Sequence, residues 1–328
     1  MAGQTIILTR SQIAEQIDIA EAVPAIEQAL GEFEKGNDYL PPKALFHIPV
    51  GQALAACIVG YTQTTNLLSM KVGQERTENP NCNLPTTNSW LLVFEPVTGE
   101  LLMICDGTLP TMYRTAAAAA VGAKHLARAD AKVLAVIGAG QLGRQCARAV
   151  SLVRSFEGIL LHDMDEQAAR RVADELAPQV AAPIEAADAE TACRRADVIV
   201  TATNSRQPIV QADWIRPGTH LSCMGSDLHE KIECEMALLP RCRLFADMIE
   251  HALARGEASQ AVVADVLGKD CYAGSLGQVI NGDVPGRGDA DEITMFDGVG
   301  IGIQDTTITR TIYDQAREKQ IGTRLAFS

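Results

Sequence analysis

Lys43 in LPPKALF, Lys71 in SMKVG, Arg114 in YRTAA and Asp227 in GSDLHEK are residue types able to do chemistry on a small molecule. Three cations and one carboxylate suit hydride transfer at the α-carbon of an amino or imino acid. The cations would hold the substrate carboxylate, with Arg the best shaped for a bidentate grip. A Lys near the reacting carbon can polarise or protonate, and a carboxylate can shuttle a proton or orient water. Each also has a structural reading. Lys71 could be a surface residue at a strand end, and Arg114 a loop cap or the partner of an acid. Asp227, following Gly-Ser, could be a helix N-cap. His47, His125, His162, His220, His229 and His251 form no sequence-local pair, so no metal is assigned. His47 and Arg76 are further candidates to approach the substrate.

Hydride chemistry needs a carrier, and the stretch 133–143, VLAVIGAGQLG, offers it a place. Five apolar residues, Val133 to Ile137, read as a strand buried on both faces. Gly138-Ala139-Gly140-Gln141-Leu142-Gly143 follows, then apolar residues at helical spacing. In such a unit one glycine permits the sharp turn and one lets the backbone approach a pyrophosphate. The third lets the helix lie close to the strand. The helix aims its first N–H groups and the positive end of its dipole at that phosphate. The next strand, GILLHDMD at 158–165, carries Asp163, 25 residues after Gly138. That is close to the roughly 20 expected of a carboxylate on the adenosine ribose. An Asp there accepts from both ribose hydroxyls and repels a 2′-phosphate, so NADH is expected rather than NADPH. The structural alternatives are a chance glycine-rich turn and a strand-end aspartate.

The elements that must position these residues suggest two domains, the natural division for 328 residues. Residues 1–40 hold a short apolar strand, TIILT, and an amphipathic helical stretch from Ser11, with Ile13, Ile17, Ala20, Val23, Ile26, Leu30 and Phe33 on one face. Pro41-Pro42 halts it. From Ala44 to Asp106 the pattern is of antiparallel strands: ALAACIVGYT, NLLSMKVG, NSWLLVFEP and ELLMICD. A turn at 97–99 joins the last two, and the polar loop 74–87 lies between strands. An alanine-rich helix spans 110–130, with Arg114 near its start. Strand–helix alternation follows through 196–205, 219–231 and 242–247, which implies a parallel sheet with ligand residues at strand C-termini. The glycine-rich turn and helix within 292–316 could return the chain to the first domain.

Composition narrows the partners. Hydrophobic residues at 47% and charged residues at 21% describe a globular protein. A net charge of −13 argues against nucleic acid or an anionic membrane as partner. No apolar run reaches the roughly 18 residues a membrane helix needs, and the N-terminus carries no secretory signal pattern. Nine cysteines without CxxC spacing fit buried free thiols in a cytoplasmic setting.

At these residues the chain resembles the ornithine cyclodeaminase/μ-crystallin family over nearly its whole length. The resemblance rests on LPPK at 40–43, SMKVG at 69–73, the loop NPNCNLPTT and the helix opening RTAAAAAVGAKHLA. It extends to the fingerprint VIGAGQLGRQ, to TATNS at 201–205 and to GSD at 225–227, in that order. The resemblance implies an α/β architecture: a Rossmann-type doubly wound parallel sheet plus an N-terminal α+β substrate and dimerisation domain. Its boundaries would be 1–115, joined by 305–328, and 116–304. Lys71 and Arg114 match the family's substrate-carboxylate ligands, and Asp227 its catalytic carboxylate. Thr86, the fingerprint turn, Asp163, Thr203 and Met224 match dinucleotide contacts. Lys43 departs from the Arg of many cyclodeaminases and resembles the amino-acid dehydrogenase and imine reductase branch.

The expected reaction is NADH-dependent reduction of a 2-imino acid to an L-amino acid by a homodimer. Lys71 and Arg114 clamp the carboxylate, Lys43 assists, and Asp227 or Lys71 handles the proton. Iminosuccinate going to aspartate is the favoured substrate, as in the iminosuccinate reductases that resemble this family, because Arg76 offers a cation for a second carboxylate. The alternatives are an ornithine cyclodeaminase, another imino-acid reductase or alanine dehydrogenase, and a ligand-binding protein without turnover.

Overall fold

The computed structural model describes residues 4–49, 53–76, 78–82 and 84–327, so Thr77 and Asn83 of the polar loop lie outside the described residues. The chain divides into two units, Met1–Arg114 with Ile301–Ser328, and Thr115–Gly300.

The first unit opens with β1 (Thr5–Leu8), α1 (Arg10–Ala14) and α2 (Ile19–Phe33). The continuous helical stretch expected from Ser11 is therefore broken. Thr9 and Gln12 form a capping box on α1, and Asp18 Oδ1 accepts from Ala20 N at 2.9 Å to start α2. A second N-cap gives the chain a new start that apolar periodicity alone does not reveal. β2 (Ala44–Ile48), β3 (Ala53–Thr62), β4 (Leu67–Glu75), β5 (Thr87–Phe94) and β6 (Leu101–Asp106) pair antiparallel in sequence, and β1 joins β6 in parallel. Side chains alternate across this sheet. Ser69, Lys71, Leu91, Val93, Met103 and Cys105 are buried on one face. On the other face Met70, Val72, Leu92, Phe94 and Ile104 are half-buried.

α3 (Thr108–Leu126) leads out of this unit; Ala116 to Val121 are fully buried, as only small side chains permit at such close packing. The second unit runs β7 (Val133–Ile137), α4 (Gln141–Val153), β8 (Gly158–His162), α5 (Glu166–Leu176), β9 (Ile184–Ala186), α6 (Ala189–Arg195), β10 (Val198–Thr201) and β11 (His220–Cys223). It continues with β12 (Cys242–Ala246), α7 (Ile249–Arg255), α8 (Ser259–Val263), β13 (Tyr272–Ser275), α9 (Leu276–Asn281) and β14 (Ile293–Asp297). Among the described residues the sheet order is β13-β12-β14-β11-β10-β7-β8-β9, and the strands pair in parallel. This is the doubly wound Rossmann arrangement, with its switch point between β7 and β10, where a ligand crevice opens at the strand C-termini.

The strands β9 and β13 were not expected, and neither was β14, which, in a stretch read only as turn and helix, lies wholly buried between β11 and β12. α10 (Gly302–Glu318) and β15 (Thr323–Leu325) complete the first unit, β15 pairing antiparallel with β1. α10 lies against the buried sheet face, where the backbones of Gly60 and Gly302 meet so closely that a Cβ on either would collide. Ser69 Oγ and Thr306 Oγ1, 2.7 Å apart, pin the helix there.

Candidate active site

On the buried face of the first unit's sheet, Lys71 stands opposite Ile58 and Leu91 of the neighbouring strands. α10 sets its first turn over it. Lys71 Nζ lies 2.9 Å from Asp305 Oδ2, and Arg114 Nε 3.2 Å from Asp305 Oδ1. Lys71 also donates to Thr111 Oγ1 at 3.2 Å, and Arg114 Nη1 to Gln304 Oε1 at 3.2 Å. All three charged side chains are nearly buried, at 8%, 8% and 2% exposure. Burial by itself would raise the Asp305 pKa, but the charges of Lys71, Arg114 and, more distantly, Lys43 outweigh it and hold the acid below its usual range. Lys43 precedes β2 on the same face by register, and is half-buried.

Asp305 and Gln304 were absent from the sequence-based candidates. Asp305 lies far from Lys71 along the chain, and the close packing of α10 on the sheet, at Gly60–Gly302 and Ser69–Thr306, brings them together. No local pattern signals that. Arg76 behaves otherwise than expected. Its Nε bonds Gln74 Oε1 at 3.2 Å, and Gln74 lies on the sheet face opposite Lys71. His47 shares the face of Lys71 by register but is exposed. Thr86 closes the polar loop, its carbonyl accepting from Arg76 N at 2.8 Å.

In the second unit the fingerprint glycines occupy three different environments. Gly138 has φ +105°, and a Cβ there would lie 2.7 Å from the Ala202 carbonyl oxygen. Gly143 abuts the Gly138 carbonyl, so any Cβ would force α4 off the strand. A Cβ on Gly140 would meet nothing within 4 Å, so nothing in the protein requires glycine there. Open space at the N-terminus of α4, beside Gln141 and Leu142 and with no acidic side chain in its first turn, is the cradle an approaching pyrophosphate needs. Asp163 is half-buried; its Oδ2 accepts from Ala139 N at 2.9 Å and its Oδ1 from Asp165 N at 3.1 Å, which ties it to the fingerprint turn. These residues fit a dinucleotide.

At the same strand-end edge, Thr203 and Met224 follow β10 and β11, and Met224 N donates to Thr201 O at 2.9 Å. Asp227 starts no helix, so the N-cap alternative falls. Its carboxylate instead takes Lys231 Nζ at 3.0 Å, and the same ammonium reaches Asn204 Oδ1 at 3.2 Å. Lys231 is 5% exposed while Asp227 is 45% exposed, so a buried cation holds a carboxylate that solvent reaches. Lys231 too was missed, although its spacing of four from Asp227 was visible.

Comparison with known proteins agrees with this fold. The chain is similar over 98% of its length to the structure of Thermococcus litoralis Delta(1)-pyrroline-2-carboxylate reductase in complex with NADH and L-proline (28% identity, all of that chain covered, TM-score 0.95). It is equally similar to an archaeal alanine dehydrogenase dimer with bound NAD (30% identity, 99% of this chain and 100% of that one, TM-score 0.95). The iminosuccinate reductase of Paracoccus denitrificans, solved with NAD+, matches at 32% identity over 98% of this chain and 99% of that one, with TM-score 0.89. Residues 3–320 match the ornithine cyclodeaminase/mu-crystallin family, and the chain belongs to it.

Proposed function

We propose that this protein is an NAD-dependent oxidoreductase that reduces a 2-imino acid to an L-amino acid, with iminosuccinate, giving L-aspartate, as the substrate. NADH, when bound, supplies the hydride to the imine carbon. The chain's own residues do the rest. Gly138, Gly140, Gln141 and Leu142 cradle the pyrophosphate, Asp163 takes the ribose, and Thr86, Thr203 and Met224 line the dinucleotide. Lys71 and Arg114 hold the C1 carboxylate and so fix where the imine carbon lies, a large share of what orientation contributes to rate. Asp227, tuned by Lys231, handles the proton at nitrogen.

The observation that carries the dicarboxylate is charge. Lys43, Lys71 and Arg114 all act on Asp305, so three cations gather on one face of the sheet. A substrate with two carboxylates can engage more of these cations than a monocarboxylate can. The likeness to the Paracoccus denitrificans enzyme, at 33% identity, supports the same substrate. Arg76 does not, since its side chain turns to the opposite face.

Steady-state NADH oxidation with oxaloacetate plus ammonium tests this. Turnover there well above that with pyruvate plus ammonium or methylamine is expected. Turnover confined to pyruvate or to a cyclic imine would replace the substrate, and ammonia released from ornithine without net NADH change would make the enzyme a cyclodeaminase.

The reading includes a homodimer joined through the outer face of the first unit's sheet. Val59, Met70, Leu92 and Ile104 form an apolar, half-buried row across four strands there, with Trp90 53% exposed beside it. It also includes a cytoplasmic location, where nine thiols stay reduced.

A further inference from the structure

Glu233 is fully buried and lies outside every role assigned so far. Its carboxylate accepts from Thr201 Oγ1 at 2.5 Å, Thr203 N at 2.7 Å, Thr203 Oγ1 at 2.8 Å and Gly225 N at 2.9 Å. These donors lie on the last residue of β10 and on the segments that follow β10 and β11, with Met224 immediately before Gly225. A single side chain therefore ties both strand-end segments together. The fit is close: a Cβ on Gly225 would lie 2.6 Å from Glu233 Oε1 and would collide with the Thr203 carbonyl.

Glu257 fixes Glu233 in turn. Its carboxylate accepts from Glu233 N at 2.9 Å and Cys234 N at 2.6 Å, so it holds the backbone on which Glu233 stands. Burial raises both acids, and the charge on Glu233 then pushes Glu257 up to about 8. Four donors converge on Glu233, so the pair's negative charge resides there and the proton on Glu257. Bonds to an ionised acceptor are about twice as strong as neutral ones.

We infer that Glu233 is a positioning residue for the dinucleotide, its carboxylate setting the backbone at Thr203 and at Met224–Gly225 to receive the cofactor. The inference rests on the assignment of Thr203 and Met224 as cofactor contacts. It predicts that Glu233 governs cofactor affinity and leaves the carboxylate clamp of Lys71 and Arg114 alone. In Glu233→Gln an amide N–H2 replaces one acceptor oxygen and faces N–H or O–H donors, so the segments shift.

The test is NADH binding, followed by the fluorescence of the nucleotide on titration with the full-length enzyme, alongside steady-state kinetics. Glu233→Gln is expected to weaken NADH binding about tenfold or more. The KM for the imino acid, which the proposed function assigns to Lys71 and Arg114, should stay within about threefold. Thr201→Val, which removes one donor to Glu233 without changing shape, should weaken NADH binding in the same direction by a smaller factor, and it serves if Glu233→Gln does not fold. NADH affinity within twofold of wild type in both variants, or in Thr201→Val alone should Glu233→Gln not fold, would overturn the inference while leaving the proposed function standing. Wild-type enzyme that binds no NADH would overturn both.

Discussion

Asp305 holds two cations in a space from which water is largely excluded, and the proposed substrate carboxylate would enter as a second anion beside it. Removing one partner of a buried ion pair leaves an uncompensated charge, which is costly. The arrangement therefore keeps Lys71 and Arg114 ordered in place. Asp227 has the opposite character, an exposed carboxylate held by a buried ammonium, suited to exchanging a proton with a ligand or water. Its role predicts a kinetic signature. Asp227→Asn keeps the shape and removes the base, so kcat should fall about 10²- to 10⁴-fold while NADH affinity holds. Steady-state rates and NADH titration on one preparation check this, and undiminished kcat would remove Asp227 from the chemistry.

At the scale of elements, the glycines of the fingerprint separate cofactor binding from folding. Gly143→Ala must move α4 away from β7, because its Cβ would collide with the Gly138 carbonyl. Thermal denaturation should show a lower Tm, in line with the 1–3 kcal/mol typical of overpacking. Gly140→Ala meets open space and should leave Tm unchanged. It should still weaken NADH binding about tenfold or more, since the methyl occupies the pyrophosphate's approach. Equal Tm losses in both variants would contradict the assignment. The fingerprint was legible because strand, turn and helix are contiguous and two of its glycines, Gly138 and Gly143, answer a local steric requirement. Lys71 and Arg114, which the fold brings together, were legible as residue types within recognisable motifs. Asp305 was not, since its meaning depends on a helix arriving from the far end of the chain through a glycine–glycine contact. β14 was hidden for a related reason: five residues buried on both faces show no alternation, and the glycine-rich turn after them dominates the pattern. The break between α1 and α2 was hidden because capping by Asp18 leaves the apolar spacing intact.

The molecule as a whole carries its acids unevenly, and this should govern its stability against pH. Burial, then the charge of Glu233, pushes Glu257 up to about 8 from a usual 4.5, and burial pushes Asp297, which accepts from Tyr272 Oη at 2.5 Å, up to about 7. The folded chain keeps these protons where the unfolded chain has released them. Stability from this source is complete below the unfolded values and is lost as pH rises through the folded ones. Tm should therefore fall between pH 6 and pH 9, and Glu257→Gln, neutral at every pH, should flatten the decline. A Tm that rises across this range, or an unchanged slope in the variant, would show that Glu257 is ionised in the fold. The central claim, hydride delivery to an imine carbon, has a more direct test. Oxaloacetate and ammonium are incubated with NADH deuterated at C4 of the nicotinamide, using each stereoisomer in turn, and the product is analysed by mass spectrometry. One isomer should give L-aspartate carrying a single deuterium at Cα, whereas deuterated malate, or aspartate without deuterium from either isomer, would contradict the account.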